Sequence, residues 1–209
     1  GEIVWQTFNA GSAWVDIQGI TAHPMSSKGQ LLNPILVAHD FIGMLDRGQT
    51  PEFTEKTEGF VWVNGIQGGP AKCRVSLKIR DHSLKRYEEK KTLIRAIVDC
   101  LRVRYPRAKI NLTIEDVYGN IADAIKPENS ACIDMLRRAM EIEQVTAKDI
   151  AMRGGTDGSF ISTQGIPTPN YFTGAHNFHS ACEFMPMSSW LKSLAVTLRL
   201  VELAAGVTK

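Results

Sequence analysis

The chain has 209 residues, 44% of them hydrophobic and 22% charged, with a formal net charge of +2. That length holds one large domain or two small ones around a real core. So small a positive excess does not call for nucleic acid or an acidic membrane surface, and no apolar run is long enough to span a bilayer.

The text opens at Gly1 rather than Met, directly in the strand-like EIVWQTF. Nothing there reads as a signal peptide, and the opening is taken as a cut or processed start. From Ser12 the pattern SAWVDIQGI alternates, with Ala13, Val15 and Ile17 on one face. LLNPILVAHDFIGML then carries Leu31, Leu32, Ile35, Leu36, Ile42 and Leu45 at helical spacing, with Pro34 in the first turns, where a missing N–H costs least.

GFVWVNGI and AKCRVSLKI follow, separated by the turn signal QGGP. In the second, Cys73, Val75, Leu77 and Ile79 face one way while Arg74, Ser76, Lys78 and Arg80 face the other, the mark of a half-solvated strand. A long helix is predicted from a Ser83 cap to a stop at Pro106, with SLKRYEEKK as its solvated face. KINLTIED alternates again through Ile110, Leu112 and Ile114. The resulting order, βαββαβ, predicts two helices on one face of an antiparallel sheet, a ferredoxin-like arrangement.

After Tyr118 the character changes. ENSACIDMLRRAMEIE reads as a helix, and a loop-rich stretch runs from Arg153 to Pro186. An amphipathic helix then starts at a Ser cap and ends at Gly206. With few strands of its own, this part reads as a piece of an α/β domain. Residues 1–8 form another piece of it, so the divisions are 1–8, 9–118 and 119–209. Cys73, Cys100, Cys132 and Cys182 show no CxxC pairing, so a zinc knuckle is not indicated and reduced cytosolic thiols are expected.

Three stretches carry candidate chemistry. In TGAHNFHSACEFMP, His179 can present a neutral imidazole nitrogen to zinc, or be an ordinary surface histidine. His176 reads as a supporting residue, and Glu183 as a ligand-orienting or solvated carboxylate. In MRGGTDGSF, Arg153 and the N–H groups of the following glycines could converge on a carboxylate. The alternative is a tight turn in which Asp157 caps the next segment. In TAHPMSSKG, with Asn33 beyond it, His23 could polarise a carbonyl or bind a carboxylate, or be a plain loop histidine. No GxSxG elbow or P-loop is present, and the third predicted strand lacks the aromatics of an RNA-reading sheet.

Together, FNAGSAWVDIQGITAHPMSSKGQLLNPI, EGFVWVNGIQGG, IRDH and RGGTDGSFISTQGIPTPNYFTGAHNFHSACEF resemble the dizinc exopeptidases, the family of carboxypeptidase G, aminoacylase and peptidase T. The resemblance, nearest to peptidase T, implies that this chain is the carboxyl-terminal half of such an enzyme: a zinc-binding α/β catalytic domain, only part of which is present, interrupted by a ferredoxin-like lid and dimerisation domain. It implies His179 as a zinc ligand and His23 as the lid histidine that stabilises the tetrahedral intermediate. Asn33 and Arg153 fall at substrate contacts. The implied activity is zinc-dependent release of the amino-terminal residue from tripeptides or short peptides, with two zinc ions per complete site, in a cytoplasmic protein that dimerises through its lid. Departures from the pattern are Met25 in place of Gly and His176 in place of Tyr. The other ligands of the pattern lie upstream, so this chain alone is expected to bind metal weakly or not at all and to be inactive. A non-catalytic assembly module, or an aminoacylase or carboxypeptidase relative, is the alternative.

Overall fold

The computed structural model describes residues 1–206. In chain order the elements are β1 (Glu2–Gln6), β2 (Asn9–Gln18), α1 (Pro34–Gly43), β3 (Phe60–Gly68), β4 (Lys72–Asp81), α2 (Leu84–Arg104) and β5 (Lys109–Tyr118). There follow α3 (Ile121–Ala124), α4 (Ala131–Ile142), β6 (Lys148–Ala151), α5 (Asp157–Thr163), β7 (Asn170–Tyr171) and α6 (Met187–Ala204). They form two compact units, Phe8–Tyr118 and Gly1–Thr7 with Gly119–Lys209. Among the described residues, no helix is long and apolar enough to cross a membrane.

The unit Phe8–Tyr118 is the βαββαβ unit read from the sequence. Its sheet runs β3-β4-β2-β5 with every neighbouring pair antiparallel. β2 and β4 are central, and Val15 stands opposite Val75 and Ala13 opposite Leu77. These side chains, with Ile17, Cys73 and Ile79, point into one core shared with α1 and α2. Burying each large aliphatic side chain there contributes about 1.5–3 kcal/mol. Ser83 caps α2, its Oγ accepting the Arg86 N–H, and the helix ends two residues before Pro106.

Two readings of this unit need correction. In α1 the buried stripe is Pro34, Val37, Ala38 and Phe41, while Leu31, Ile35 and Leu36 are exposed. Asn33 starts the helix only at Pro34, so Leu31 and Leu32 precede it, and Leu32 instead bridges to Ile20. The SLKRYEEKK segment is not a wholly solvated face either. Tyr87, Lys90 and Lys91 are buried, because two carboxylates beneath the helix hold the lysine heads.

In the other unit, β1 is the centre of a three-stranded sheet, β6-β1-β7, parallel to β6 and antiparallel to β7. Ile3, Leu136, Ala139, Met140 and Val196 make its core, joining β1, α4 and α6. α6 does not begin at a serine cap. Pro186 occupies the cap position and no side chain bonds there, while Gly206 takes the left-handed turn after the last residues, φ +70°.

Candidate functional site

β1 and β6 run parallel, and the Met152 N–H continues their pairing by donating to Gln6 O at 2.9 Å. The chain then leaves the carboxyl end of β6 through Arg153-Gly154-Gly155 and enters α5. Ligands of parallel α/β sheets sit at this end of the strands, where strand-to-helix loops present backbone N–H groups. Arg153 is half-buried at the start of that loop. The loop's far end is fixed at Thr156, whose N–H donates to Ser159 Oγ at 3.2 Å and whose Oγ1 accepts from Asn170 Nδ2 at 3.0 Å. Thr156, not Asp157, is therefore the cap residue, and Asp157 is the exposed first residue of the helix. Gly158 is required by close approach, since a Cβ there would lie 2.5 Å from Thr168 O.

The stretch around His179 is a closed loop. His176 and Phe184 exchange backbone hydrogen bonds at 2.8 and 3.2 Å, and their rings stack with centroids 5.1 Å apart. Inside it, Ser180 Oγ donates to Asn177 O at 2.8 Å and Asn177 Nδ2 donates to Cys182 O at 3.2 Å. His179 is at the exposed apex with φ +63°, a left-handed conformation that costs a branched or bulky residue energy. Glu183 accepts the His179 backbone N–H at 3.0 Å, so this carboxylate holds the loop's backbone. A cleft of about 940 Å³ opens beside this loop, lined among others by Val4, Met152, Asn170, Phe172 and His176.

His23 and Asn33 belong to the unit Phe8–Tyr118, whereas Arg153 and His179 belong to the other. His23 is exposed and its Nδ1 accepts the Met25 N–H at 3.2 Å, closing a short turn over Pro24–Ser26. Asn33 is the cap of α1, its Oδ1 accepting the Ile35 N–H at 3.0 Å. A residue taken for a substrate contact thus has a structural use for its side-chain oxygen.

A catalytic zinc takes three protein ligands as a rule. Among the described residues, no group of three or more His, Cys, Asp or Glu side chains is arranged to hold a metal ion. The described residues do not by themselves fit a zinc site. His179 offers a single imidazole, on a loop shaped by its own hydrogen bonds rather than by a neighbouring carboxylate cluster.

Two charged clusters escaped the sequence reading. Asp81, with no solvent exposure, accepts from Lys90 Nζ at 2.9 Å, Arg86 Nε at 3.1 Å and the Ser83 N–H at 2.9 Å. Asp116 accepts from the Tyr87 hydroxyl and from Lys91 Nζ at 3.0 Å, and Lys91 also bonds Glu88 at 2.8 Å. The signal was present as an acid-basic register, Asp81 with Arg86 and Lys90, but it requires knowing that the strand end lies under the helix.

A family model described as the peptidase dimerisation domain matches residues 6–109. A peptidase T-like protein of Yersinia pestis is 47% identical over 197 residues, covering 94% of this chain and 48% of that protein. Peptidase T of Halothermothrix orenii is 38% identical over 205 residues, covering 98% and 50%. Among solved structures, the aminopeptidase PepT from Bacillus cereus matches with a TM-score of 0.80 at 18% identity, over 98% of this chain and 54% of that one, a likeness of fold. The chain spans about half the length of the curated relatives it matches. With identity of this order sustained along almost every residue, and the dimerisation-domain match falling on the βαββαβ portion, the chain belongs to the peptidase T-like family.

Proposed function

We propose that the complete protein is a metal-dependent aminopeptidase that releases the amino-terminal residue of tripeptides and other short peptides. The observation that carries this reading is the loop from Arg153 to Thr156, which puts an arginine and two glycines after the carboxyl end of a parallel strand pair, between fixed ends. A planar guanidinium recognises a carboxylate through two parallel hydrogen bonds, the end group that every short peptide carries. In this reading Arg153 holds the substrate's carboxylate, and His23 and Asn33 are the substrate-binding residues of the Phe8–Tyr118 unit. His23 is the residue that stabilises the tetrahedral intermediate.

His179 is proposed as one metal ligand, with zinc as the metal and the remaining ligands supplied from outside these residues. The unit Phe8–Tyr118 then serves as the lid and dimerisation domain, residues 1–8 and 119–209 as parts of the catalytic domain, and the protein works in the cytoplasm. Cys73, buried in the core as a free thiol, suits such a reducing compartment.

The reading is tested by tripeptide hydrolysis with the complete protein and with these 209 residues alone. Zinc-dependent turnover is expected from the first and none from the second. Full turnover by the 209 residues alone, or none by the complete protein, would refute it.

The match to a peptidase dimerisation domain favours a second reading, in which the βαββαβ unit acts as an assembly module. Its sheet ends in β3 and β5, each with one unpaired edge, and such edges pair readily with a second copy. Mass measurement in solution, combined with tripeptide hydrolysis by the complete protein, separates the readings: association that survives His23→Ala and His179→Ala, with no zinc-dependent turnover, favours the module.

A further inference from the structure

The Arg153 loop is tied to a buried polar hub whose members lie far apart in sequence. Thr7, Asn120 and Ser159 are 0%, 5% and 0% exposed. The Thr7 N–H donates to Asn120 Oδ1 at 2.8 Å, and the same oxygen accepts the Ala122 N–H at 3.0 Å. Thr7 Oγ1 accepts the Ile121 N–H at 3.0 Å and the Ser159 hydroxyl at 3.2 Å. Ser159 Oγ in turn accepts the Thr156 N–H at 3.2 Å.

Burying three polar side chains is costly unless each is satisfied, and a satisfied network fixes one arrangement of its members. The segment that most needs fixing is adjacent. Two consecutive glycines give the stretch between Met152 and Thr156 little conformational preference of its own. One end is held by the Met152 N–H on Gln6 O, so the other must be held at Thr156. Ser159 is the residue that connects Thr156 to the end of β1, through the hydroxyl of Thr7.

We propose that Ser159, acting through Thr156, is a positioning residue that aims the Arg153 guanidinium at the carboxylate of a short peptide, with Thr7 as its anchor. This rests on the reading of Arg153 given above. Loss of the Ser159 hydroxyl removes the link from the Thr156 N–H to Thr7 and leaves Asn170 as the remaining side-chain tie, so the loop samples other shapes and Arg153 is no longer pre-set for a planar anion. Groups that do not meet the substrate's carboxyl end should be little affected.

The test uses the complete protein and two tripeptides that differ only at the carboxyl end, one a free carboxylate and the other an amide. Wild type should prefer the carboxylate in kcat/KM, and Arg153→Ala should abolish the preference. Ser159→Ala and Thr7→Val should each lower the preference about tenfold, through KM for the carboxylate substrate. Thr7→Ser, which keeps the hydroxyl, should restore it. The preference is a ratio within one preparation, so partial unfolding scales both substrates alike and leaves it unchanged. If Arg153→Ala abolishes the preference while Ser159→Ala keeps it, or lowers both substrates equally, the inference is overturned and the reading of Arg153 stands. If wild type cleaves neither peptide, the reading of the function fails and the inference falls with it.

Discussion

Nζ of Lys90 lies 2.9 Å from Oδ2 of Asp81, with the lysine side chain 10% exposed and the aspartate fully enclosed. The pair joins the end of β4 to the second turn of α2 and is supported by Arg86, which reaches the other carboxylate oxygen from a more open position. A buried pair is weak evidence of net stabilisation, but removing Lys90 leaves the enclosed Asp81 carboxylate with only the more open Arg86 to offset its charge. Lys90→Ala is expected to cost more than an exposed pair is worth and at most about 3–5 kcal/mol, measured by urea unfolding. The double variant Asp81→Asn, Lys90→Met should recover a large part of that loss. A single variant within 1 kcal/mol of wild type (about the worth of an exposed pair) would contradict this role.

Asp116 supplies a pH dependence. Partial burial pushes its carboxyl up, but hydrogen bonds from the Tyr87 hydroxyl and Lys91 ammonium outweigh this and hold it below the ordinary carboxylate value. The Tyr87 hydroxyl is pushed up, by burial first and by the Asp116 carboxylate second. A carboxyl lowered on folding adds stability that is fully present above its unfolded value, about 3.9, and is lost as pH falls through its folded value. Tyr87→Phe removes a donor, returns Asp116 toward its ordinary value, and should move acid unfolding to higher pH. The shift is modest, because 65% of the Asp116 side chain is open to screening. Circular dichroism across the acid transition checks it, and coincident curves would refute it.

Gly174 opens the His179 loop with φ +80°, and a Cβ added there would sit 2.3 Å from the Ser189 Cβ. Gly165, in the same unit, has φ +91° and open space around it. Gly165→Ala should therefore cost only the dihedral penalty, about 1–2 kcal/mol. Gly174→Ala should cost that and about 1–3 kcal/mol more from overpacking. Thermal melts of the two variants separate these contributions, and equal losses would show that Ser189 yields without cost.

His179 holds its left-handed backbone without glycine's freedom, a form of strain that collects at functional positions. His179→Gly should relieve about 1–2 kcal/mol of strain, offset by about 0.5–1 kcal/mol of added freedom in the unfolded chain. Calorimetry should show unchanged or slightly raised stability, while the complete protein loses tripeptide hydrolysis. A clear fall in stability would mean that the imidazole itself holds the loop together.

Much of the βαββαβ unit was legible because one side of its sheet is solvated. Cys73, Val75, Leu77 and Ile79 alternate with polar neighbours, and that alternation is the burial pattern itself. α1 was misread because apolar residues surround it, so periodicity alone cannot say which stripe is inside. Val37 and Phe41 are the positions buried in the core, with Leu32, Ile42 and Leu45 packed at its margin. Lys90 and Lys91 read as solvated because their partners lie on strands, outside any local window.

The Arg153 and His179 stretches stood out by composition, but the groups that shape them did not. Ser159 and Thr7 are 152 positions apart, and buried polar residues leave no periodic trace.

The most direct test of the account is the identity of the products. The complete protein, supplied with zinc, is incubated with a tripeptide of three different residues, and the products are resolved by mass spectrometry. The account predicts the free amino-terminal residue and the carboxyl-terminal dipeptide, with both lost in His179→Ala. Release of the carboxyl-terminal residue, or undiminished cleavage by His179→Ala, would contradict it.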